Sequence, residues 1–138
     1  TEHPIPVEEG RRIISEETAR ETLSLMENVV VQNAEGAQIT GYRTGGKTGT
    51  AQAPSETQAG YDGYTTSFFG VAPIENPQFV VSVTIQRPQS NASNVGLAGG
   101  ADQFSQIMEK VLHTYKVPYS TTEPVEIPKF PDGHDEKG

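Results

Sequence analysis

The sequence predicts an α+β domain in which helices cover an antiparallel sheet. Two β-rich runs, YTTSFFGVAPI and QFVVSVTIQRP, are joined by the short turn Glu75-Asn76-Pro77, which favours an antiparallel hairpin. A segment with helical periodicity precedes the strands and another follows them. The predicted order is therefore helix, three strands, helix and tail.

The first helix is predicted to follow a lead-in without regular structure. Residues 1–12 hold two prolines and mixed charge without a period, which indicates an extended segment. Ser15 is a good N-cap, and Glu16 and Glu17 place negative charge at the positive end of the helix dipole. The apolar face of the helix is predicted at Ala19, Leu23, Met26 and Val30.

The sheet is predicted from three short segments. Residues 47–52 are Thr-rich and suit a strand at a sheet edge. The polar loop APSETQAGYDG separates this strand from the hairpin. In the last strand, alternation predicts that Val81, Val83 and Ile85 share one face.

The strongest periodicity in the chain predicts a second amphipathic helix near the end. Its buried stripe is expected at Phe104, Ile107, Met108, Val111, Leu112 and Tyr115. Prolines at 118, 124, 128 and 131, with charge between them, then indicate a flexible acidic tail over residues 118–138.

Composition excludes several classes of function. The chain has 18 acidic and 10 basic residues and no run of Lys or Arg, so no nucleic-acid partner is expected. There is no cysteine, which excludes disulfides and thiolate sites. His3 and His134 have no partner at metal-ligand spacing, so no metal or other cofactor is expected. No stretch approaches the roughly 20 apolar residues of a membrane span, and any anchor is expected upstream of Thr1.

The stretch GYRTGGKTGT, residues 41–50, fits two motifs at once. It satisfies the phosphate-loop pattern G-x-x-x-x-G-K-[ST], and it contains the K-T-G signature of penicillin-recognising serine enzymes. A phosphate loop requires a helix that starts at its Lys-Thr pair. Here Gly49 follows at once and no helical period comes after it, so the sequence disfavours phosphate binding.

The K-T-G motif requires the opposite context, an extended strand that borders a cleft and lies alongside a bound peptide. Residues 47–52, followed by a hairpin and a closing helix, meet that requirement. The tripeptide alone is weak evidence, because a three-residue match can arise by chance, so the interpretation depends on the predicted strand, hairpin and helix around it.

Four blocks of sequence, in order, resemble the C-terminal part of the transpeptidase domain of class B penicillin-binding proteins. The blocks are ISEETARETLSLMENVV, GYRTGGKTGTAQ, FFGVAPIENPQFVVSVTI and GGADQFSQIMEKVL, and together they define a segment of this domain over residues 13–117. These proteins are the monofunctional D-alanyl-D-alanine transpeptidases of bacterial cell-wall synthesis. The resemblance implies the serine β-lactamase-like fold, of which this chain would supply strands three to five and the C-terminal helix.

The same resemblance implies a nucleophile that this sequence lacks. The family uses S-x-x-K for the acylating serine and S-x-N or Y-x-N for proton transfer, and none of these patterns occurs in the 138 residues. The chain is therefore expected to be a fragment, inactive alone, of a cell-division-type transpeptidase that cross-links stem peptides through a serine acyl-enzyme and binds penicillin. The implied partners are the peptidoglycan stem peptide, β-lactam antibiotics, the remainder of the transpeptidase domain and cell-division proteins. The implied location is the extracytoplasmic face of the bacterial membrane.

The resemblance also assigns roles within the motif. Lys47 would hold positive charge near the substrate carboxylate and polarise the proton relay. Thr48 and Thr50 would hydrogen-bond the carboxylate, and the Thr50 backbone N–H would form part of the oxyanion hole. Gly49 would leave room for the substrate backbone.

Other functions of the same residues stay open at this point. A D,D-carboxypeptidase or a β-lactamase of the same superfamily would use the same motif, and a scaffold module could retain it without catalysis. Family topology also implies that residues 78–87 form an open strand edge, through which the fragment is expected to self-associate.

Overall fold

The computed structural model describes residues 10–55, 57–88 and 99–124. The helices and strands in this part of the chain are α1 (Glu16–Asn33), β1 (Gly45–Pro54), β2 (Tyr61–Ala72), β3 (Phe79–Gln86) and α2 (Ala101–Thr114), with a short 3-10 turn at Glu35–Ala37. The predicted α+β class and the order of the elements are confirmed.

The three strands form one antiparallel sheet in the order β1-β2-β3. β1 lies opposite β2 from Gly45↔Val71 to Pro54↔Tyr61, with an irregularity between Gln52 and Pro54. β1 is therefore longer at both ends than the predicted 47–52, because pairing with β2 continues through residues whose own strand propensity is low. Among the described residues, β1 and β3 are the two edges.

Helix α2 covers one face of the sheet. The rings of Phe68 on β2 and Phe104 on α2 have centroids 5.0 Å apart, and both side chains are fully buried. On β3 the predicted alternation is confirmed: the residues toward this face are half-buried and those between them are exposed. The half-buried residues include Val81 and Val83, which pack against the core cluster around α2.

The buried stripe of α2 is narrower than the sequence predicts. Phe104, Met108 and Leu112 are fully buried, whereas Ile107 is 47% and Tyr115 is 68% exposed. Residues four apart lie almost above one another on a helix, so the stripe that starts at Phe104 takes the contact with the sheet. The stripe of Ile107 and Tyr115 lies at the margin of this contact, where the Tyr115 ring still reaches Phe79 on β3. The prediction that these two residues are core was wrong.

Helix α1 begins as predicted, since the Ser15 side chain accepts a hydrogen bond from the backbone N–H of Thr18. Val30 is buried, while the other three predicted apolar-face residues are only partly covered. In the described ranges, no helix is both long and apolar enough to cross a bilayer.

Residues 118–124, the start of the predicted tail, lie against the segment that precedes β1. The Ser120 backbone N–H donates to the Gly41 carbonyl at 2.9 Å. Gly41 has a φ of +81°, and a Cβ there would come within 2.6 Å of the Tyr119 ring, so both backbone and space require glycine. Residues 1–9 of the predicted lead-in and residues 125–138 of the tail lie outside the described residues.

Candidate active site

The K-T-G motif lies on β1, at one edge of the described sheet. Lys47 is opposite Phe69 and Gly49 is opposite Ser67. Directly opposite residues of an antiparallel pair share a face of the sheet. Because Phe68 packs on α2 and its neighbour Phe69 is 50% exposed, Lys47 and Gly49 lie on the face opposite α2. Helix α1 packs on this face at Gly45 and leaves it open at Lys47.

Lys47 is exposed, and within the described chain its ammonium group makes a hydrogen bond to backbone. Its Nζ donates a 2.9 Å hydrogen bond to the carbonyl oxygen of Thr48. The ion pairs found among the described residues are Arg20–Glu16 and Arg43–Glu27, and neither includes Lys47. The positive charge is therefore available to an anionic group on the open face of the sheet.

Gly49 presents bare backbone on the same face as Lys47. A Cβ at this position would approach only the Ser67 side chain, at 2.6 Å from its Oγ. Two earlier glycines of β1 are enclosed instead: a Cβ at Gly45 would lie 2.5 Å from Ile74 Cδ1, and one at Gly46 would lie 2.2 Å from the Phe68 ring. Gly49 is thus half-buried with a single hydroxyl near its missing side chain, whereas the other two glycines permit close packing.

Thr48 and Thr50 project toward the other face of the sheet. Thr48 is opposite Phe68 and Thr50 is opposite Thr66, so both lie on the α2 side. Thr48 is half-buried and Thr50 is exposed. The structure thus brings the four predicted site residues together on one edge strand but divides their side chains between two faces.

A buried ion pair below the start of β1 was missed by the sequence reasoning. The guanidinium of Arg43 donates from Nε to Glu27 Oε1 at 2.7 Å and from Nη2 to Glu27 Oε2 at 2.6 Å. The Glu27 side chain is 1% exposed and that of Arg43 is 12% exposed. A signal was present, because Glu27 lies beside Met26 within the apolar face of α1, where a carboxylate requires a partner.

Arg43 also connects this pair to the C-terminal segment and to the end of β2. Its backbone N–H donates to Ser120 Oγ at 2.9 Å, and its Nη1 donates to Thr122 Oγ1 at 2.8 Å. Its carbonyl accepts a bond from the Ile74 backbone N–H at 3.0 Å. The hydrogen bond to Glu27 raises the pKa of the Arg43 side chain above its usual value.

The residue before Arg43 makes a second long-range contact. The hydroxyl of Tyr42 donates to the Val117 carbonyl at 2.8 Å, and its ring packs beside that of Tyr119 with centroids 5.0 Å apart. Burial is the main cause that raises the pKa of Tyr42, and the charges of Tyr119 and Glu109 add to it. Tyr42 thus joins the segment before β1 to the C-terminal segment, whereas Arg43 also joins it to α1.

Comparison with known proteins identifies the family of this chain. The family described as "Penicillin binding protein transpeptidase domain" matches residues 3–109. The penicillin-binding protein PbpB of Mycolicibacterium smegmatis is 34% identical over 122 residues, which is 81% of this chain and 19% of the relative. The probable peptidoglycan D,D-transpeptidase PenA of Neisseria gonorrhoeae is 34% identical over 102 residues, which is 72% of this chain and 17% of the relative.

A solved structure agrees with these relatives. Penicillin-binding protein 3 of Mycobacterium tuberculosis, complexed with ampicillin, matches with a TM-score of 0.71 and 28% identity, over 90% of this chain and 30% of that one. The chain spans less than a fifth of the length of the two curated relatives. The matched family, the relatives and the fold agree, and the chain belongs to the transpeptidase-domain family of class B penicillin-binding proteins.

Proposed function

We propose that this chain supplies the sheet side of the active site of a serine-type peptidoglycan D,D-transpeptidase. In that reaction a serine attacks the penultimate D-Ala carbonyl of a stem peptide, D-Ala leaves, and an amine of a neighbouring stem peptide resolves the ester. Penicillin resembles the terminal dipeptide and leaves the ester in place. The observation that carries the proposal is the ammonium of Lys47, exposed on the open face of an edge strand and outside the ion pairs of the described residues.

Lys47 acts electrostatically in this account. Its Nζ stands on the same face as the bare backbone of Gly49, so a peptide that lies along β1 passes both. The positive charge attracts the terminal carboxylate of that peptide and favours the deprotonated state of the groups that relay the serine proton.

A peptide that lies along the free edge of β1 has both faces of the strand within reach, so the hydroxyls of Thr48 and Thr50 hydrogen-bond its carboxylate from the α2 side. Because Lys47 Nζ donates to the Thr48 carbonyl, that carbonyl is expected to point away from β2, toward the unpaired side of β1. Backbone groups two residues apart in a strand point the same way, which favours an outward N–H at Thr50. An outward N–H is what an oxyanion hole requires, and one such donor contributes about 3 kcal/mol of transition-state stabilisation.

The isolated chain is inactive in this proposal, because the serine nucleophile and its proton-transfer partners come from another part of the full-length protein. None of the motifs S-x-x-K, S-x-N and Y-x-N occurs in the 138 residues. In the cell the full-length protein acts on stem peptides at the extracytoplasmic face of the membrane, where β-lactams compete for the same site and cell-division proteins are its partners.

The experiment is intact-mass analysis of the full-length protein before and after penicillin, with peptide mapping of the adduct. The proposal predicts one stoichiometric adduct on a serine outside these 138 residues and no adduct on the isolated chain. A penicilloyl ester that hydrolyses rapidly would indicate a β-lactamase instead. No adduct on the folded full-length protein would indicate a non-catalytic scaffold.

Self-association of the isolated chain is a separate part of the proposal. β3 is paired only with β2 in the described part of the chain, and its sequence FVVSVTIQ carries no charged residue. Charged side chains are a common means by which proteins protect a strand edge from pairing with another chain. The β3 edge of one copy is therefore suited to pair with the β3 edge of a second copy.

A further inference from the structure

We infer that Arg43 is a positioning residue for the K-T-G strand: by holding Glu27 it fixes α1 against the start of β1 and thereby sets the place of Lys47. This inference rests on the proposed function, because its catalytic consequence depends on Lys47 acting in the transpeptidase site.

Both the side chain and the backbone of Arg43 are held by hydrogen bonds. Its guanidinium joins α1 through Glu27 and the C-terminal segment through Thr122, while its backbone joins Ser120 and Ile74. These contacts come from three separate parts of the chain. A side chain fixed in this way has one position, and so does the backbone that carries it.

Gly45 and Gly46, the first two residues of β1, link the position of Arg43 to that of Lys47. At Gly45 even a Cβ atom would lie 2.5 Å from Ile74 Cδ1 and 3.1 Å from the backbone nitrogen of Glu27. At Gly46 it would lie 2.2 Å from the Phe68 ring. The strand is thus packed directly on α1 and on β2 without free space, and close-packed interiors transmit displacements. A shift of α1 therefore moves the next residue, Lys47.

The ion pair holds α1 in place because neither charge is stable there alone. Glu27 is 1% exposed, and removal of its partner leaves a buried carboxylate that must reach water or acquire a proton. Exposure to water requires α1 to move away from the start of β1, whereas protonation leaves a neutral side chain that no longer ties α1 to a fixed partner. Replacement of both charges by apolar side chains removes the cost of an unpaired buried charge. It also removes the two directed bonds that set the register of α1.

The test compares variants of the full-length protein by two separate measurements. The first is the rate constant of acylation at saturating penicillin, and the second is the thermal unfolding midpoint. Arg43→Met is expected to lower the rate constant about tenfold or more, since a displacement near 1 Å at a catalytic group can cost up to about a hundredfold. Arg43→Lys, which retains the charge but not the bidentate contact, is expected to fall between Arg43→Met and the unmodified protein.

Two further variants separate positioning from stability. Tyr42→Phe removes the neighbouring bond to Val117 and is expected to lower the unfolding midpoint while leaving the acylation rate constant within about twofold. The double variant Glu27→Met with Arg43→Met is expected to regain stability relative to Arg43→Met, because no buried charge is left unpaired, but to remain slow. Full recovery of the acylation rate in the double variant would overturn the positioning role.

Lys47→Ala in the same series distinguishes this inference from the proposed function. If Lys47→Ala acylates at the unmodified rate, the proposed site is wrong. If Lys47→Ala is slow while Arg43→Met folds and acylates at the unmodified rate, only the inference about Arg43 is wrong. Should Arg43→Met fail to fold, the double variant and Arg43→Lys decide the same question, and unmodified rates in both would overturn it.

Discussion

The ring of Phe104 occupies the place where a Cβ atom at Gly70 would stand, with only 2.3 Å between that atom and the nearest ring carbon. Helix α2 therefore rests directly on the backbone of β2. Gly70→Ala is expected to displace Phe104 and to lower the free energy of unfolding by roughly 1–3 kcal/mol. Denaturant unfolding measures this change. Gly49→Ala is the matched control on β1, where the added Cβ meets only a Ser67 hydroxyl that can rotate, and an equal loss in both variants would contradict the packing account.

The buried carboxylate of Glu27 is expected to contribute far more to the stability of the fold than an exposed carboxylate on the same helix. Glu27→Ala leaves the Arg43 guanidinium without its bidentate partner in a largely buried site, and a loss of about 3–5 kcal/mol in the free energy of unfolding is expected. Glu16→Ala breaks the exposed pair with Arg20 and is expected to change the free energy of unfolding by less than about 1 kcal/mol. Similar losses in the two variants would show that burial does not set the strength of the Glu27–Arg43 pair.

Structural features that depend on neighbouring residues could be predicted from the sequence, and those that depend on distant residues could not. Ser15 as N-cap, the alternation of Val81 and Val83, and the placement of Lys47 on an edge strand follow from periods and caps within a few residues. The contacts of Tyr42 and Arg43 join residues more than 70 positions apart, and no short window contains both partners. Separation in sequence thus hid the C-terminal contacts.

Apolar periodicity alone also failed to define the core of α2. Ile107 and Tyr115 continue the apolar pattern of Phe104, but both stay largely exposed in the described chain. The ring of Tyr115 lies tilted against that of Phe79, with 5.0 Å between the ring centroids. A helix with two adjacent apolar stripes does not reveal which one faces the sheet. That choice depends on Gly70, whose missing side chain lets the Phe104 stripe approach most closely.

Alkaline pH is expected to weaken the attachment of the C-terminal segment through Tyr42. Its protonated hydroxyl donates to Val117, and its pKa is raised in the folded state above the usual value near 10. The folded state thus holds this proton more tightly, so the contribution to stability is complete below about pH 10 and is lost as pH rises through the higher folded pKa. Unfolding midpoints measured from pH 8 to 12 should fall more steeply for the unmodified chain than for Tyr42→Phe. Parallel slopes would exclude Tyr42 as the cause.

The open edge of β3 is expected to make the isolated chain associate with itself. Ser82→Lys places a charge on the exposed side of this edge strand and should shift sedimentation toward the monomer. Gln103→Lys adds the same charge at an exposed position of α2 and serves as the control. A chain that sediments as a monomer at every concentration, without substitution, would contradict the pairing.

The most direct test of the central claim is the rate at which penicillin acylates the full-length protein when Lys47 is replaced by Ala. Because Lys47 is assigned to the carboxylate contact and the proton relay, the acylation rate is expected to fall by at least about a hundredfold without a change in the unfolding midpoint. Lys110→Ala, which removes an exposed Lys from α2, should acylate at the unmodified rate. Equal rates for Lys47→Ala and the unmodified protein would contradict the assignment of the active site to the K-T-G strand.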